Sequence, residues 1–146
     1  MFLSKSFGYA LRGVLVVALL KEENRNVQIE EIATKLSVPK HFLGKIMQQL
    51  ARAGFLNSVK GPNGGFSVNE KTLDLPLSKL MKITNDLNQF GYCVLELKNC
   101  NNTNPCPLHA EMEKIKSNML QVFQNTTIKD LLSGNKNAII KSIALS

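Results

Sequence analysis

With 146 residues, the chain has room for one compact core, or for a small domain carrying a protruding element. A hydrophobic content of 44% speaks against wholesale disorder, and a net charge of +7 favours an anionic partner, nucleic acid above all. Three cysteines are an odd number, which excludes a complete disulfide framework. The charge is uneven: residues 1–71 hold ten Lys/Arg against five acids, and residues 72–146 hold eight against six. No secretory signal is apparent. The longest apolar run, Val14–Leu20, spans seven residues and follows Arg12, too short to cross a membrane. The expectation is a cytoplasmic protein with no membrane segment.

Between residues 3 and 20, Leu3, Phe7, Leu11, Val14 and Ala18 recur at helical spacing, and Ala10, Leu15 and Leu19 widen the apolar arc. Such a helix belongs at the centre of a fold or at an interface. The polar stretch from Lys21 to Asn26 ends it. Ile29–Leu36 predicts a second, short helix with Ile32, Ala33 and Leu36 inward. After a three-residue break, Ser37-Val38-Pro39, a third helix follows, with Pro39 in its first turn, where a missing N–H costs nothing. Phe42, Leu43, Ile46, Met47 and Leu50 form its apolar face, and His41, Lys45, Gln48 and Arg52 its polar one. Two short helices, a tight turn and a reader face of hydrogen-bonding side chains fit a helix-turn-helix. Any small helical domain with a wet face shares part of that pattern, and the next stretch separates the two.

Residues 54–59 read as a helix stop and strand, Lys60-Gly61-Pro62-Asn63-Gly64-Gly65 as a glycine-rich turn, and Phe66-Ser67-Val68 as the returning strand. A hairpin directly after a reader helix is a wing, with Asn63-Gly64 as the expected reversal. A phosphate loop is the rival for a glycine cluster, but no GK[ST] follows and no helix opens from it. Leu77, Leu80, Met81 and Thr84 mark a short helix after Pro76, and residues 85–92 lose the pattern. Met112, Ile115, Met119, Val122 and Phe123 then line one stripe of a helix of four to five turns, broadened by Leu120. With few partners in its own chain, that stripe is a candidate twofold interface; packing onto its own chain is the alternative. Thr127 and Asp130 are spaced as a helix start, with Ile128, Leu131 and Leu132 tucked beneath. Residues 133–146 form a tail that either adds a last helix or stays mobile.

The stretch CVLELKNCNNTNPCPLH holds all three cysteines, Cys93, Cys100 and Cys106, with His109 three residues after the last. Six and five residues separate the cysteines, wider than the two to four of structural zinc knuckles. No Cys-x-x-Cys exchange motif is present. If Cys106 and His109 both open the long helix they share a face, and the four side chains make a Cys3His set. Soft thiolates suit an iron–sulfur cluster, and a histidine can replace a thiolate on one iron of a [2Fe–2S] centre. Rich in Asn and Thr and poor in apolar bulk, the loop is expected to order only when it binds a cluster, and so to move the adjoining helix. Unliganded thiols, a reversible disulfide and zinc remain open alternatives. An enzyme is not expected, because neither His41 nor His109 has a convincing acid–base partner.

The opening LSKSFGYALR, the reader-to-strand segment with LARAGFL, the wing SVKGPNGGFSV and TIKDLL together resemble the winged-helix family of IscR, NsrR and CymR over residues 1–132. The resemblance implies a mainly α fold with a small β wing. Its parts are a winged helix-turn-helix domain (1–84), a cysteine-containing cluster loop (85–109), a dimerisation helix and following turn (107–132) and a tail (133–146). It further implies a homodimer on a palindromic double-stranded DNA operator, with Cys93, Cys100, Cys106 and His109 as ligands of a [2Fe–2S] cluster that senses cluster status, redox state or nitric oxide. A thiol- or zinc-responsive regulator is the second reading. This chain has one more residue between its first two cysteines than IscR-like members usually have. Gly8 stands where NsrR-type members carry an aspartate ligand, and Gly44 where IscR carries a glutamate that discriminates operators. Lys40, Lys45, Arg52 and Lys60 are candidate phosphate contacts, and His41, Lys45 and Gln48 candidate base contacts, with Asn63, Gly64 and Gly65 at the wing tip.

Overall fold

The computed structural model describes residues 3–21, 25–134, Ala138 and Ile143. Among them run α1 (Lys5–Leu19), α2 (Ile29–Leu36), α3 (Lys40–Arg52), β1 (Asn57–Val59), β2 (Gly65–Ser67), α4 (Glu70–Asp74), α5 (Leu77–Ile83), a 3₁₀ helix (Asp86–Gly91), α6 (His109–Asn125) and α7 (Ile128–Leu132). The expectation for the tail falls largely outside the described residues, and so does part of the polar stretch after α1.

Ser4 starts α1 by accepting a hydrogen bond from the Phe7 N–H at 3.1 Å, one of the donors a helix start leaves unpaired. Phe7, Ala10, Val14 and Val17 are buried, and so are Leu15, Val16 and Ala18 on the adjoining arc. The helix therefore takes the central position its wide apolar arc predicts, in contact with α2, α3, α5, α7 and β2. It meets α3 closely at Gly13: a Cβ built there would stand 2.6 Å from Met47 Sδ. Each fully buried aliphatic side chain of this core contributes about 1.5–3 kcal/mol.

The α2–α3 turn is tight because Ser37 takes a left-handed conformation (φ 54°), while the Ser37 and Val38 N–H groups bond back to Thr34 and Ala33. Pro39 sits at the N-cap of α3 rather than inside its first turn. Leu43, Ile46, Met47 and Leu50 are buried as expected. Phe42 is not: it is 43% exposed and lies edge-to-face on Tyr9, ring centroids 5.4 Å apart. One residue on a helix is about 100° of rotation, which carries Phe42 off the stripe centred on Leu43 and towards the outer side of α1.

β1 and β2 pair antiparallel with Ser58 opposite Phe66. Val27, just before α2, exchanges both backbone hydrogen bonds with Phe66 at 2.8 Å, so the hairpin is seated on the helix-turn-helix. The sequence pattern shows no sign of α4 beyond its capping box, in which Asn69 and Thr72 bond each other's backbone; Thr72 is buried and its hydroxyl donates to the Phe55 carbonyl at 2.7 Å. Gln49 of α3 donates to the Ile83 carbonyl at 2.8 Å, capping the end of α5. The Thr127/Asp130 capping box forms as read, and the fully buried Ile128 draws α7 against the core.

Residues 85–92 hold the 3₁₀ helix, and its fully buried Asp86 closes the structure onto the start of the chain. Its carboxylate accepts from the Ser4 N–H at 2.6 Å, the Ser4 hydroxyl at 2.8 Å and the Thr84 hydroxyl at 2.5 Å. Replacing Asp86 with Ala leaves the Ser4 N–H and hydroxyl without this acceptor, while the Thr84 hydroxyl can turn to the Leu80 carbonyl at 3.1 Å. The expected loss is about 1–3 kcal/mol of unfolding free energy, measured by urea denaturation. A variant as stable as the parent would show that water replaces the carboxylate.

Candidate functional site

Two groups of chemistry-bearing residues emerge from this frame. The first is the outer side of α3. Lys40, His41, Lys45, Gln48 and Arg52 are all exposed and border one groove together with Ile29, Gly44 and Phe66. A second hollow lies between α3 and the hairpin, bordered by Gln28, Gln48, Lys60, Gly64 and Gly65, so Gln48 belongs to both. A Cβ at Gly44 would meet nothing nearer than Ile29 Cγ1 at 3.8 Å; the glycine lowers the groove floor and relieves no clash. Lys40 pairs with Glu30 of α2 at 2.5 Å, and that hydrogen bond holds the Glu30 carboxyl below its usual range. Both groups are exposed, so the pair contributes little stability and exchanges readily for another anion.

The hairpin tip does not reverse at Asn63-Gly64. Five residues join Val59 to Gly65, too many for a two-residue turn, and the positive φ angles fall on Gly61 (105°) and Gly65 (132°). The Gly64 N–H closes the turn onto the Gly61 carbonyl at 2.9 Å. Gln28 and Asn26 brace the tip by donating to the carbonyls of Pro62 and Asn63 at 2.9 and 3.2 Å. Lys60 and Asn63 are exposed at the tip. Gly64 and Gly65 also have an internal reason: a Cβ would stand 2.2 Å from the Val59 oxygen and 2.5 Å from the Val27 oxygen, respectively. Asn26 and Gln28 were missed in the sequence because their partners are backbone carbonyls more than thirty positions away.

The second group is the cysteine pocket. Cys93, Cys100 and Cys106 bring their sulfurs within 4.8 Å of one another. Cys93 Sγ lies 3.7 Å from Cys106 Sγ, and Cys100 Sγ lies 3.3 Å from His109 Nδ1. His109 is the first residue of α6, while Cys106 precedes the helix; the histidine accordingly meets Cys100 rather than Cys106. The His109 Nε2 pairs with Asn102 Oδ1 at 3.0 Å. Amides of Leu97 and Leu95 point at the Cys93 sulfur and, with the neighbouring thiols, hold its thiol below the usual range. At Cys100 the Cys106 amide acts in the same direction, but burial and the two adjacent thiols together push the thiol up.

The loop carries a set of local side-chain-to-backbone hydrogen bonds. Asn101 Oδ1 accepts from the Thr103 amide and hydroxyl and from the Asn104 amide at 2.6–2.9 Å, and Asn104 donates to the Asn99 carbonyl at 3.0 Å. The Asn and Thr residues are turn formers. The loop is not poor in apolar bulk, since Val94, Leu95, Leu97 and Leu108 are exposed on it. The pocket also contains a residue that the sequence did not flag: Lys116 of α6, 7% exposed, which donates to the carbonyls of Tyr92 at 2.5 Å and Phe90 at 3.2 Å. In the sequence it is one of several lysines on a polar helix. On α6 itself Ile115 and Val122 are exposed and Met112 and Met119 half-buried, whereas the Phe123 ring packs edge-to-face on Phe7 of the same chain at 5.8 Å.

The model of one protein family, described as "Rrf2: Iron-dependent Transcriptional regulator", matches residues 3–134. A protein of Aquifex aeolicus named as an HTH-type transcriptional regulator is 35% identical over 135 residues, covering 91% of this chain and 92% of its own. The HTH-type transcriptional regulator NsrR of Geobacillus kaustophilus is 28% identical over 125 residues, 85% of this chain and 84% of its own. Among solved structures, CymR of B. subtilis superposes with a TM-score of 0.71 at 18% identity, covering 91% and 97% of the two chains. IscR of T. potens does so with a TM-score of 0.67 at 20% identity, covering 93% and 87%. At these identities the structural matches speak to the fold alone: helix-turn-helix, wing and long helix. Among the described residues, no helix is long and apolar enough to cross a membrane.

The wing offers a direct check of this geometry. Gly65→Ala places a Cβ against the Val27 carbonyl at a φ that L-residues rarely adopt, with an expected cost of about 1–3 kcal/mol. Loss of the Val27 and Phe66 amide protection in hydrogen exchange is the matching readout; unchanged protection would contradict the seating of the hairpin on Val27.

Proposed function

The chain belongs to the Rrf2 family of transcriptional regulators, and from that premise we propose that it is a homodimer that binds a palindromic operator under the control of a [2Fe–2S] cluster. The observation that carries the cluster reading is the two-and-two pairing of its donors: Cys93 with Cys106, and Cys100 with His109. Two thiolates on one tetrahedral metal, with bonds of ~2.3 Å, stand roughly 3.7 Å apart, which is the Cys93–Cys106 spacing. The three sulfurs lie within 4.8 Å of one another, and His109 joins them from the Cys100 side. The residues present thus fit a two-iron group with one all-thiolate end and one thiolate–imidazole end. When bound, such a cluster supplies a one-electron centre that responds to redox state, nitric oxide or cluster supply.

The protein's own part is positional. The Asn101 turn holds Cys100 and Cys106 close, with the Cys106 amide donating to the Cys100 sulfur at 3.4 Å. Asn102, by accepting from His109 Nε2, leaves Nδ1 facing Cys100. His109 is also the first residue of α6, so any change at the pocket acts directly on that helix. The exposed Ile115 and Val122, with Met112 and Met119 beside them, form the apolar stripe we assign to a second copy, with Phe123 at its inner edge. A shift of α6 then changes the relative placement of two reader helices. On DNA, Lys40, Lys45, Arg52 and Lys60 meet phosphates, His41, Lys45 and Gln48 reach base edges, and the tip at Asn63, Gly64 and Gly65 follows the adjacent backbone.

Anaerobically purified protein is expected to contain iron and inorganic sulfide, and Cys100→Ala to lose both together with the visible absorption. Unchanged iron and sulfide in that variant would sink the ligand assignment, while zinc without sulfide would favour the zinc-responsive reading and a Cys93–Cys106 disulfide the thiol-responsive one. On the DNA side, Gln48→Ala should cost about 1–3 kcal/mol of discrimination between operator and random duplex and leave random binding nearly unchanged. Equal losses on both duplexes, measured by fluorescence anisotropy, would remove Gln48 from base reading.

A further inference from the structure

Among the described residues Lys116 is the one buried cation, and its ion pair is a long one to an exposed side chain. Its ammonium satisfies its hydrogen bonds on two neutral carbonyls, Tyr92 and Phe90. The nearest carboxylate, Glu113, lies 3.8 Å away on a side chain that is 53% exposed and therefore screened by solvent. A buried charge without a close counter-ion is costly, and such a group is retained where an anion completes it. Lys116 lines both lobes of the cysteine pocket, alongside Cys93 and Cys100. The thiols there are the groups that become anionic when they ligate a metal centre, because a ligating cysteine gives up its proton. The carbonyl that Lys116 grips most closely belongs to Tyr92, whose peptide bond leads directly into Cys93.

We propose that Lys116 is a positioning residue of the cysteine site, seating Cys93 through the Tyr92 and Phe90 carbonyls and placing a buried positive charge beside a site that becomes anionic on loading. The charge half of this inference rests on the cluster reading above; the seating half does not. Three cysteines and one histidine leave a [2Fe–2S] centre with net negative charge, and reduction adds one more negative charge. A fixed cation nearby therefore favours the reduced form and raises the reduction potential. Lys116 also joins the two segments that meet at the pocket, since its stem belongs to α6 and its head holds the end of the 3₁₀ helix. The position of Cys93 and the position of α6 are in this way mechanically linked.

The test uses the full chain with Lys116→Met, which keeps the buried stem and removes the charge, and Lys116→Arg, which keeps the charge. Circular dichroism and thermal unfolding establish that both are folded. In the metal-free protein, hydrogen exchange at the Leu95, Glu96 and Leu97 amides is expected to accelerate about tenfold in Lys116→Met, the equivalent of one lost hydrogen bond of ordinary strength. In the loaded protein, an anaerobic redox titration followed by visible absorption is expected to give a lower potential for Lys116→Met than for the parent and Lys116→Arg. A role limited to packing would leave the potential where it was. Wild-type exchange in Lys116→Met overturns the seating, and an unchanged potential overturns the role of the charge. A parent protein that binds no iron sinks the cluster reading and the role of the charge together, with exchange still deciding the seat.

Discussion

Everything in this protein is hung on the burial of α1. A helix that is apolar over most of its circumference cannot face water, and here α2, α3, α5, α7 and β2 all pack on it. Gly13, which leaves no room for a Cβ beside Met47, lets α3 lie close on α1. His41, Lys45, Gln48 and Arg52 are outside because Leu43, Ile46, Met47 and Leu50 are committed to α1 and its neighbours. The exposed polar face of α3 is thus a by-product of core packing.

The cysteine pocket is built on a different principle. It has almost no apolar core and is held by short-range backbone and side-chain hydrogen bonds: the Asn101 turn, the Asn104–Asn99 contact and the amides directed at Cys93 and Cys100. Such structure is locally determined and easily reorganised, since few buried contacts are lost when it opens. Lys116 and Asp86 are two polar fastenings to the rest of the molecule, beside the packing of Leu87 and Phe90 on the core. One ties the end of the 3₁₀ helix to α6, the other ties its beginning to the N-cap of α1. A regulator benefits from this contrast. The proposed DNA-reading face rests on the packed core, whereas the proposed sensing pocket rests largely on local hydrogen bonds that can be exchanged.

The organisation of the chain was legible before any coordinates. Helical spacing in residues 3–20, the Ser37-Val38-Pro39 break, the glycine-rich hairpin and the Thr127/Asp130 box all encode local geometry in residue type, and local geometry is what a one-dimensional pattern carries. Four features escaped that logic. Phe42 sits on the apolar side of a helical wheel but meets Tyr9 on the outer side of α1. The hairpin reverses at Pro62-Asn63, inside the turn that Gly64 closes onto Gly61, because loop length, set by the strand register, overrules the Asn-Gly dipeptide. α4 is too short for periodicity to reveal. The internal hydrogen bonding of the cysteine loop depends on which asparagine accepts from which amide.

Composition, charge and spacing by themselves determined a basic helix-turn-helix with a wing, followed by a cysteine-rich loop and an amphipathic helix, since those properties belong to residues and their near neighbours. Only the tertiary structure decided that His109 meets Cys100 rather than Cys106, that Phe123 turns inward to Phe7, and that one lysine among many is buried. Each of these depends on how far a helix start is rotated, or on what lies across a contact from residues distant in the chain. No spacing rule contains that information; packing supplies it, because a side chain's neighbours in a folded core are chosen by volume and charge rather than by position in the sequence.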